Sequence, residues 1–141
     1  MNPLPCPFCD ILSGKRTSTF IAELDNSIVL LNYDQENYPG RVLVVLKTHE
    51  VDTLTLSKSL RDAFNDDVMF VAGAIREFYK ADRINYCNLG NEVEHIHWHI
   101  IPRYKGDINW GGPPWPVEQP ENLSDEDYRK IAENIRDALH R

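Results

Sequence analysis

The sequence predicts an α+β fold built on an antiparallel sheet of about five strands with two main helices. Short β-rich apolar runs follow one another in hairpin-like order, separated by turn residues. Two longer stretches carry apolar stripes at helical spacing, and the two periodicities do not alternate as strand, helix, strand, the order a parallel sheet requires. The chain has 141 residues, with no internal repeat and no Gly/Ser linker, so residues 1–141 are read as a single domain.

Residues 1–10 form a Pro- and Cys-rich lead-in. Phe20 to Leu24 and Ile28 to Asn32 read as strands, because Asp25-Asn26-Ser27 between them has the chemistry of a hairpin turn. After the Pro39-Gly40 turn, Arg41 to Lys47 contains a Val-Leu-Val-Val-Leu run dense enough for a buried central strand. From Ser57 to Lys80, the residues Leu60, Phe64, Val68, Val71, Ile75 and Phe78 recur at steps of four and three, which predicts the longest helix. Asp82 to Leu89 and Ile96 to Arg103 read as two further strands, with Asn88-Leu89-Gly90-Asn91 as the turn between them. Residues 106–141 then make a loop and a C-terminal helix. Trp110 to Pro116 is irregular because Pro113, Pro114 and Pro116 lack backbone donors. Ser124 is a good N-cap with Asp127 at the third helical position, and Tyr128, Ile131, Ile135 and Leu139 continue a helical stripe.

Composition narrows the function classes. Fifteen Lys and Arg against 22 Asp and Glu give a formal charge of −7, which excludes the basic footprint of a protein that tracks long nucleic acid. A small anion remains an acceptable ligand, since a local cluster of donors holds a phosphate on an acidic protein. No apolar run approaches the ~20 residues needed to cross a bilayer, and Met1 to Pro7 lacks the basic and apolar regions of a signal peptide. The expectation is a cytoplasmic protein with no membrane partner. Cys6, Cys9 and Cys87 are too few and too odd in number for a secreted disulfide framework, so reduced thiols are expected, with Cys87 as a buried apolar one.

His95-Ile96-His97-Trp98-His99 is the sharpest chemical feature. On a strand, alternate side chains share a face, so the three imidazoles are expected in a row at intervals of about 6.6 Å, with Ile96, Trp98 and Ile100 facing the core. Thr, Lys or Glu would serve a merely solvated face; imidazole adds a neutral nucleophilic nitrogen near its ordinary pKa of about 6.5. Such a row suits either a catalytic zinc with an open water position or a nucleophilic imidazole attacking phosphorus while its neighbours hold the phosphate oxygens. The preceding Asn88, Gly90 and Asn91 offer donors to an anion, and no acidic residue is placed as an obvious base for a metal-bound water. That context favours phosphorus chemistry. Arg103, after Pro102, reads either as a contact to a distal phosphate or as a solvated strand-end charge. Cys6-x-x-Cys9 has zinc-ligand spacing but supplies only half a tetrahedral site; a redox pair is the rival reading, without the upstream strand that such a motif follows.

The run His-Ile-His-Trp-His-Ile-Ile, residues 95–101, resembles the signature of the histidine triad (HIT) superfamily, His-φ-His-φ-His-φ-φ with φ apolar, at every position. The Pro39-to-His49 segment and Cys6-Pro7-Phe8-Cys9 extend the resemblance over roughly residues 6–105. It implies a five-stranded antiparallel sheet, a homodimer, and cleavage of nucleoside phosphate derivatives. By the same resemblance His97 is the nucleophile, forming a nucleotidyl-histidine that water hydrolyses; His99 hydrogen-bonds the phosphate, and His95 completes the triad. Asn88, Gly90 and Asn91 match a phosphate-contacting turn, shortened here and with Asn91-Glu92 in place of the usual Gln-Ser or Gln-Thr. Asn32 matches a ribose contact after a one-residue shift, against a plain turn role before Asp34. In superfamily members with the N-terminal Cys pair, structural zinc resembles a clasp, which implies Cys6, Cys9, His49 and His95 as its ligands. The leading expectation is hydrolysis of dinucleoside polyphosphates at the α-phosphorus. The alternatives are a nucleoside phosphoramidase and a nucleotidyl transferase to a sugar phosphate, the latter opposed by His99. Trp110 to Pro116 is expected either to pack as a tail on the sheet or to serve as a specificity loop.

Overall fold

A computed structural model describes residues 5–115 and 122–141. Pro116 and the first four residues of the lead-in lie outside the described residues. Five strands form one antiparallel sheet: β1 (Phe20–Glu23), β2 (Ser27–Leu31), β3 (Val42–Leu46), β4 (Arg83–Cys87) and β5 (His97–Arg103), in the spatial order β1-β2-β3-β5-β4. Three α-helices accompany it: α1 (Pro7–Leu12), α2 (Lys58–Tyr79) and α3 (Asp125–Leu139).

The two long helices follow from their sequences. Ser57 caps α2 by accepting from the Leu60 N–H, and Phe64, Val68, Val71, Ala72 and Ile75 bury its apolar stripe. Lys80 ends it in the left-handed conformation, φ 52°. Ser124 and Asp127 close a reciprocal capping box at the start of α3, whose Ala132, Ile135, Ala138 and Leu139 are buried. Both helices pack on one face of the sheet, against Val42, Val44, Leu46 and Ile100.

Because side chains alternate along a strand, the remaining residues of β3 and β5 face the other way. Val45 joins Ile28 and Leu30 in a second, smaller core that the lead-in covers with Cys6 and Phe8. From Pro7 onward the lead-in is helical, where the sequence shows only a Pro- and Cys-rich segment. Cys6 caps α1 by accepting from the Cys9 N–H at 3.5 Å, and Pro7 occupies the first helical position, where no backbone donor is needed. This helix runs to Leu12, past the expected end of the lead-in at residue 10.

Pairing then sets the site. Val45 lies opposite His97 and Leu43 opposite His99, while on the other side Cys87 lies opposite His99. The histidine strand is thus held in register from both flanks, on the sheet face away from α2 and α3. Gly40, φ +88°, turns the chain into β3; a Cβ there would come within 2.6 Å of the Tyr79 ring. No helix among the described residues is long and apolar enough to cross a membrane.

Candidate functional site

β5 begins at His97, so the expected row of three equivalent imidazoles is two, with His95 set apart before the strand. The rings of His97 and His99 stand 5.4 Å apart between centroids. Their backbone-fixed partners give them opposite protonation patterns. His97 Nδ1 lies 2.6 Å from the carbonyl oxygen of His95, which only accepts, so Nδ1 carries the proton and Nε2 a bare lone pair. His99 Nδ1 lies 3.4 Å from Nη2 of Arg41, which only donates, so Nδ1 accepts and the proton of the neutral ring sits on Nε2. Burial pushes the pKa of His97 down, opposed by that backbone hydrogen bond. Burial, then the Arg41 charge, then His97 push His99 down to about 3. The site therefore holds two neutral imidazoles, one presenting an Nε2 lone pair and the other an Nε2–H.

Phe8 of α1 backs His97, with ring centroids 4.7 Å apart, and Trp115 stands edge-on to His99 at 5.0 Å. The Phe8 contact has no sign in the sequence, whereas Trp115 belongs to the segment expected either to pack on the sheet as a tail or to serve as a specificity loop, and its ring packs against His99. The turn residues Asn88, Gly90 and Asn91 follow the end of β4, beside the histidine strand. Gly90 adopts φ +69°, and the exposed Asn88 donates to Thr53 Oγ1 at 3.2 Å. Asn32 follows β2; its backbone carbonyl accepts from Gln35 Nε2 at 2.7 Å, while its carboxamide makes no hydrogen bond among the described residues.

Three expectations fail. Arg103 is 1% exposed and wholly committed to the protein, so it is neither a phosphate contact nor a solvated charge. Its Nε and Nη2 grip Asp107, at 2.7 and 3.0 Å, Nη1 reaches Asn85 Oδ1 and the Gly112 carbonyl, and Nη2 also reaches the carbonyls of Ile108 and Asn109. These acceptors account for every N–H of the guanidinium, which winds the 107–112 loop around itself. The second concerns His95 as a catalytic member of the row. Its Nε2–H donates to the Leu46 carbonyl at 2.7 Å, and Nδ1 faces Cys6 Sγ at 3.3 Å, Cys9 Sγ at 3.6 Å and His49 Nδ1 at 3.2 Å. The ring is spent on that cluster, and only its backbone carbonyl serves His97. Cys87 is half-buried instead of fully buried.

The cluster has the donor set and spacing of a metal site. The donor atoms of Cys6, Cys9, His49 and His95 all lie within 4.8 Å of one another. A tetrahedral ion with bonds of about 2.3 Å to sulfur and about 2.0 Å to nitrogen holds its ligands roughly 3.3–3.8 Å apart, close to the spacings just given. The Leu46 hydrogen bond fixes the tautomer that turns the Nδ1 lone pair of His95 towards the sulfurs, the usual support for a metal-bound imidazole. Two thiols and two imidazoles converging in this way can hold a metal ion.

A family model described as "HIT domain" matches residues 13–106. This chain belongs to the HIT family. Among HIT relatives, "Protein hit" of Bacillus subtilis is 31% identical over 140 residues, covering 95% of this chain and 94% of its own. The bis(5'-adenosyl)-triphosphatase of Saccharomyces cerevisiae is 36% identical over 73 residues, covering 48% of this chain and 35% of the yeast protein. Among solved structures, a Zn-bound histidine triad family protein from Mycobacterium smegmatis superposes with a TM-score of 0.71 at 28% identity, covering 96% of this chain and 93% of that one. The five-stranded antiparallel sheet with its flanking helices is thus the HIT fold.

Proposed function

We propose that the protein is a nucleotide hydrolase that cleaves dinucleoside polyphosphates, or related nucleoside phosphates, at the α-phosphorus through a nucleotidyl intermediate on His97. The observation that carries this reading is the opposed pair of neutral imidazoles. The lone pair of His97 Nε2 attacks the α-phosphorus, a P–N bond forms, and the bond from phosphorus to the leaving phosphate oxygen breaks with its electron pair on that oxygen. His99 Nε2–H donates to a phosphate oxygen as charge gathers there. Water then attacks the same phosphorus and loses a proton to solvent, the P–N bond breaks with its electron pair returning to His97 Nε2, and the nucleoside monophosphate is released. Asn88, Gly90 and Asn91 contact the phosphate chain and Asn32 the ribose, while Trp115 walls the leaving-group side. The yeast relative's name, a bis(5'-adenosyl)-triphosphatase, supports the substrate class.

Zinc is the proposed metal of the Cys6, Cys9, His49 and His95 cluster, supported by the fit of the donor set and by the Zn-bound relative. When bound, it supplies a structural cross-link from α1 to the sheet and no catalytic chemistry. Cys6 and Cys9 bracket Phe8, so the clasp also seats that ring on His97. The protein is read as a homodimer, because β4 leaves a sheet edge unpaired in a single chain. Light scattering at micromolar concentration is expected to return twice the 16.3 kDa chain mass, and a 16.3 kDa species contradicts the dimer. The three free cysteines suit a cytoplasmic location.

The test offers diadenosine triphosphate, diadenosine tetraphosphate and an adenosine phosphoramidate separately in heavy-oxygen water. Hydrolysis at the α-phosphorus places the label in AMP and none in the other product. Two ADP from the tetraphosphate contradict the assigned bond, and turnover only after addition of a sugar phosphate indicates a transferase. Fastest turnover of the phosphoramidate moves the substrate class to phosphoramidates while leaving the bond assignment intact.

A further inference from the structure

Arg41 is among the most buried side chains of the protein, 1% exposed, although it carries a permanent charge. Burying a cation is costly unless it is paired, and the pairing here is specific. Nη1 donates to Asp34 Oδ2 at 3.0 Å, in an ion pair whose side chains are 2% and 10% exposed. Trp115 covers the guanidinium face, 4.1 Å from its centroid to the guanidinium carbon. Nη1 also donates to the Pro114 carbonyl at 3.5 Å, Nε is buried without a hydrogen-bond partner among the described residues, and Nη2 points at His99 Nδ1 at 3.4 Å.

The chain around this pair is held in an uncommon shape. Asp34 sits at φ +80°, a conformation that non-glycine residues seldom adopt without a tertiary reason. Gln35, buried, braces the loop by donating to the carbonyls of Asn32 and Arg41 at 2.7 and 2.8 Å and accepting from the Gly40 N–H at 2.9 Å. An ordinary strand-start arginine needs none of this, because it reaches solvent.

We propose that Arg41, anchored by Asp34, is a positioning residue that fixes His99 as its Nε2–H tautomer and thereby aims the site's hydrogen-bond donor. Resting on the phosphoryl-transfer reading above, it explains why a cation is buried beside an imidazole. A guanidinium that only donates leaves His99 Nδ1 no choice but to accept, and its charge disfavours a second proton on the ring. Without it the ring is free to hold its proton on Nδ1 and turn an Nε2 lone pair towards a phosphate oxygen, which repels it. The Asp34 carboxylate acts one step further back by locking the guanidinium, and Trp115 keeps water off both.

The test uses full-length, zinc-replete protein labelled with 15N in its histidines, as wild type, Arg41→Met, Arg41→Lys and Asp34→Asn. Long-range proton–nitrogen correlation spectra read each ring's tautomer directly, without substrate. Wild type is expected to show His99 protonated at Nε2 only. Arg41→Met is expected to shift His99 to a mixture or to the Nδ1–H form, Asp34→Asn to do so partially, and Arg41→Lys to restore the wild-type pattern. Asparagine tolerates positive φ, so Asp34→Asn keeps the test valid if Arg41→Met fails to fold. In turnover, Arg41→Met is expected to lower kcat at least about tenfold with KM changed far less, and to cost nothing further in a His99→Ala background. An unaltered His99 tautomer in both Arg41→Met and Asp34→Asn overturns the inference, as do fully additive losses in the double variant. Absence of nucleotide turnover in the wild type sinks the proposed function and leaves the tautomer result to decide Arg41 independently.

Discussion

Replacing His97 by alanine is expected to lower turnover by about three orders of magnitude or more while leaving the fold and the metal content in place. In the proposed mechanism His97 supplies the atom that becomes bonded to phosphorus, so its removal leaves only substrate positioning and the donor on His99. The fold should survive, because the ring's one hydrogen bond is to the neighbouring His95 carbonyl and its main packing partner is Phe8. His99→Ala is expected to be milder, since it removes one stabilising hydrogen bond from a transition state that still forms. Steady-state rates on diadenosine triphosphate check this, with circular dichroism and zinc content as controls. Near-normal turnover by a folded His97→Ala protein removes covalent catalysis and revives a metal-activated water.

Cys6→Ser and Cys9→Ser are each expected to lose the bound zinc, about one ion per chain in the metal-replete wild type. Melting is expected to fall by at least about 5 °C, since an ion in the proposed site ties α1 to the segment before β5 and α1 covers the smaller core. Turnover per folded molecule should fall far less than in His97→Ala, through looser seating of Phe8 on the catalytic ring. Elemental analysis and thermal unfolding measure both effects, and chelation of the wild-type protein should reproduce them. Stoichiometric zinc that survives both cysteine changes means that other residues hold it.

The parts of this protein that were legible in its sequence are those governed by local periodicity. The stripe from Leu60 to Phe78, the Ser124 cap, the Val-rich third strand and the alternating histidines each state their structure within a few residues. Sheet order and the division of labour among the histidines depend on partners far away in the chain. His95 belongs to the row by spacing, yet its ring is claimed by Cys6 and Cys9, about ninety positions earlier. Arg103 looks like a free strand-end charge because nothing local announces that the carbonyls of Ile108, Asn109 and Gly112 will fold back on it. Arg41 reads as the first residue of a strand, and only β3–β5 pairing brings it to His99. The helix α1 escapes notice because six residues cannot show a helical repeat, and tertiary contacts, not propensity, hold it.

A bond between His97 and a nucleotide is the central step of the proposed mechanism, and the direct measurement is to trap it. Protein mixed with diadenosine triphosphate is quenched with base within the first turnover, because phosphoramidates of histidine survive base and not acid, and its peptides are mapped by mass. The expected result is AMP attached to His97, appearing before steady state and absent from the His97→Ala variant. Steady hydrolysis with no adduct at any time, or an adduct on His99 or His95 in place of His97, would contradict the mechanism.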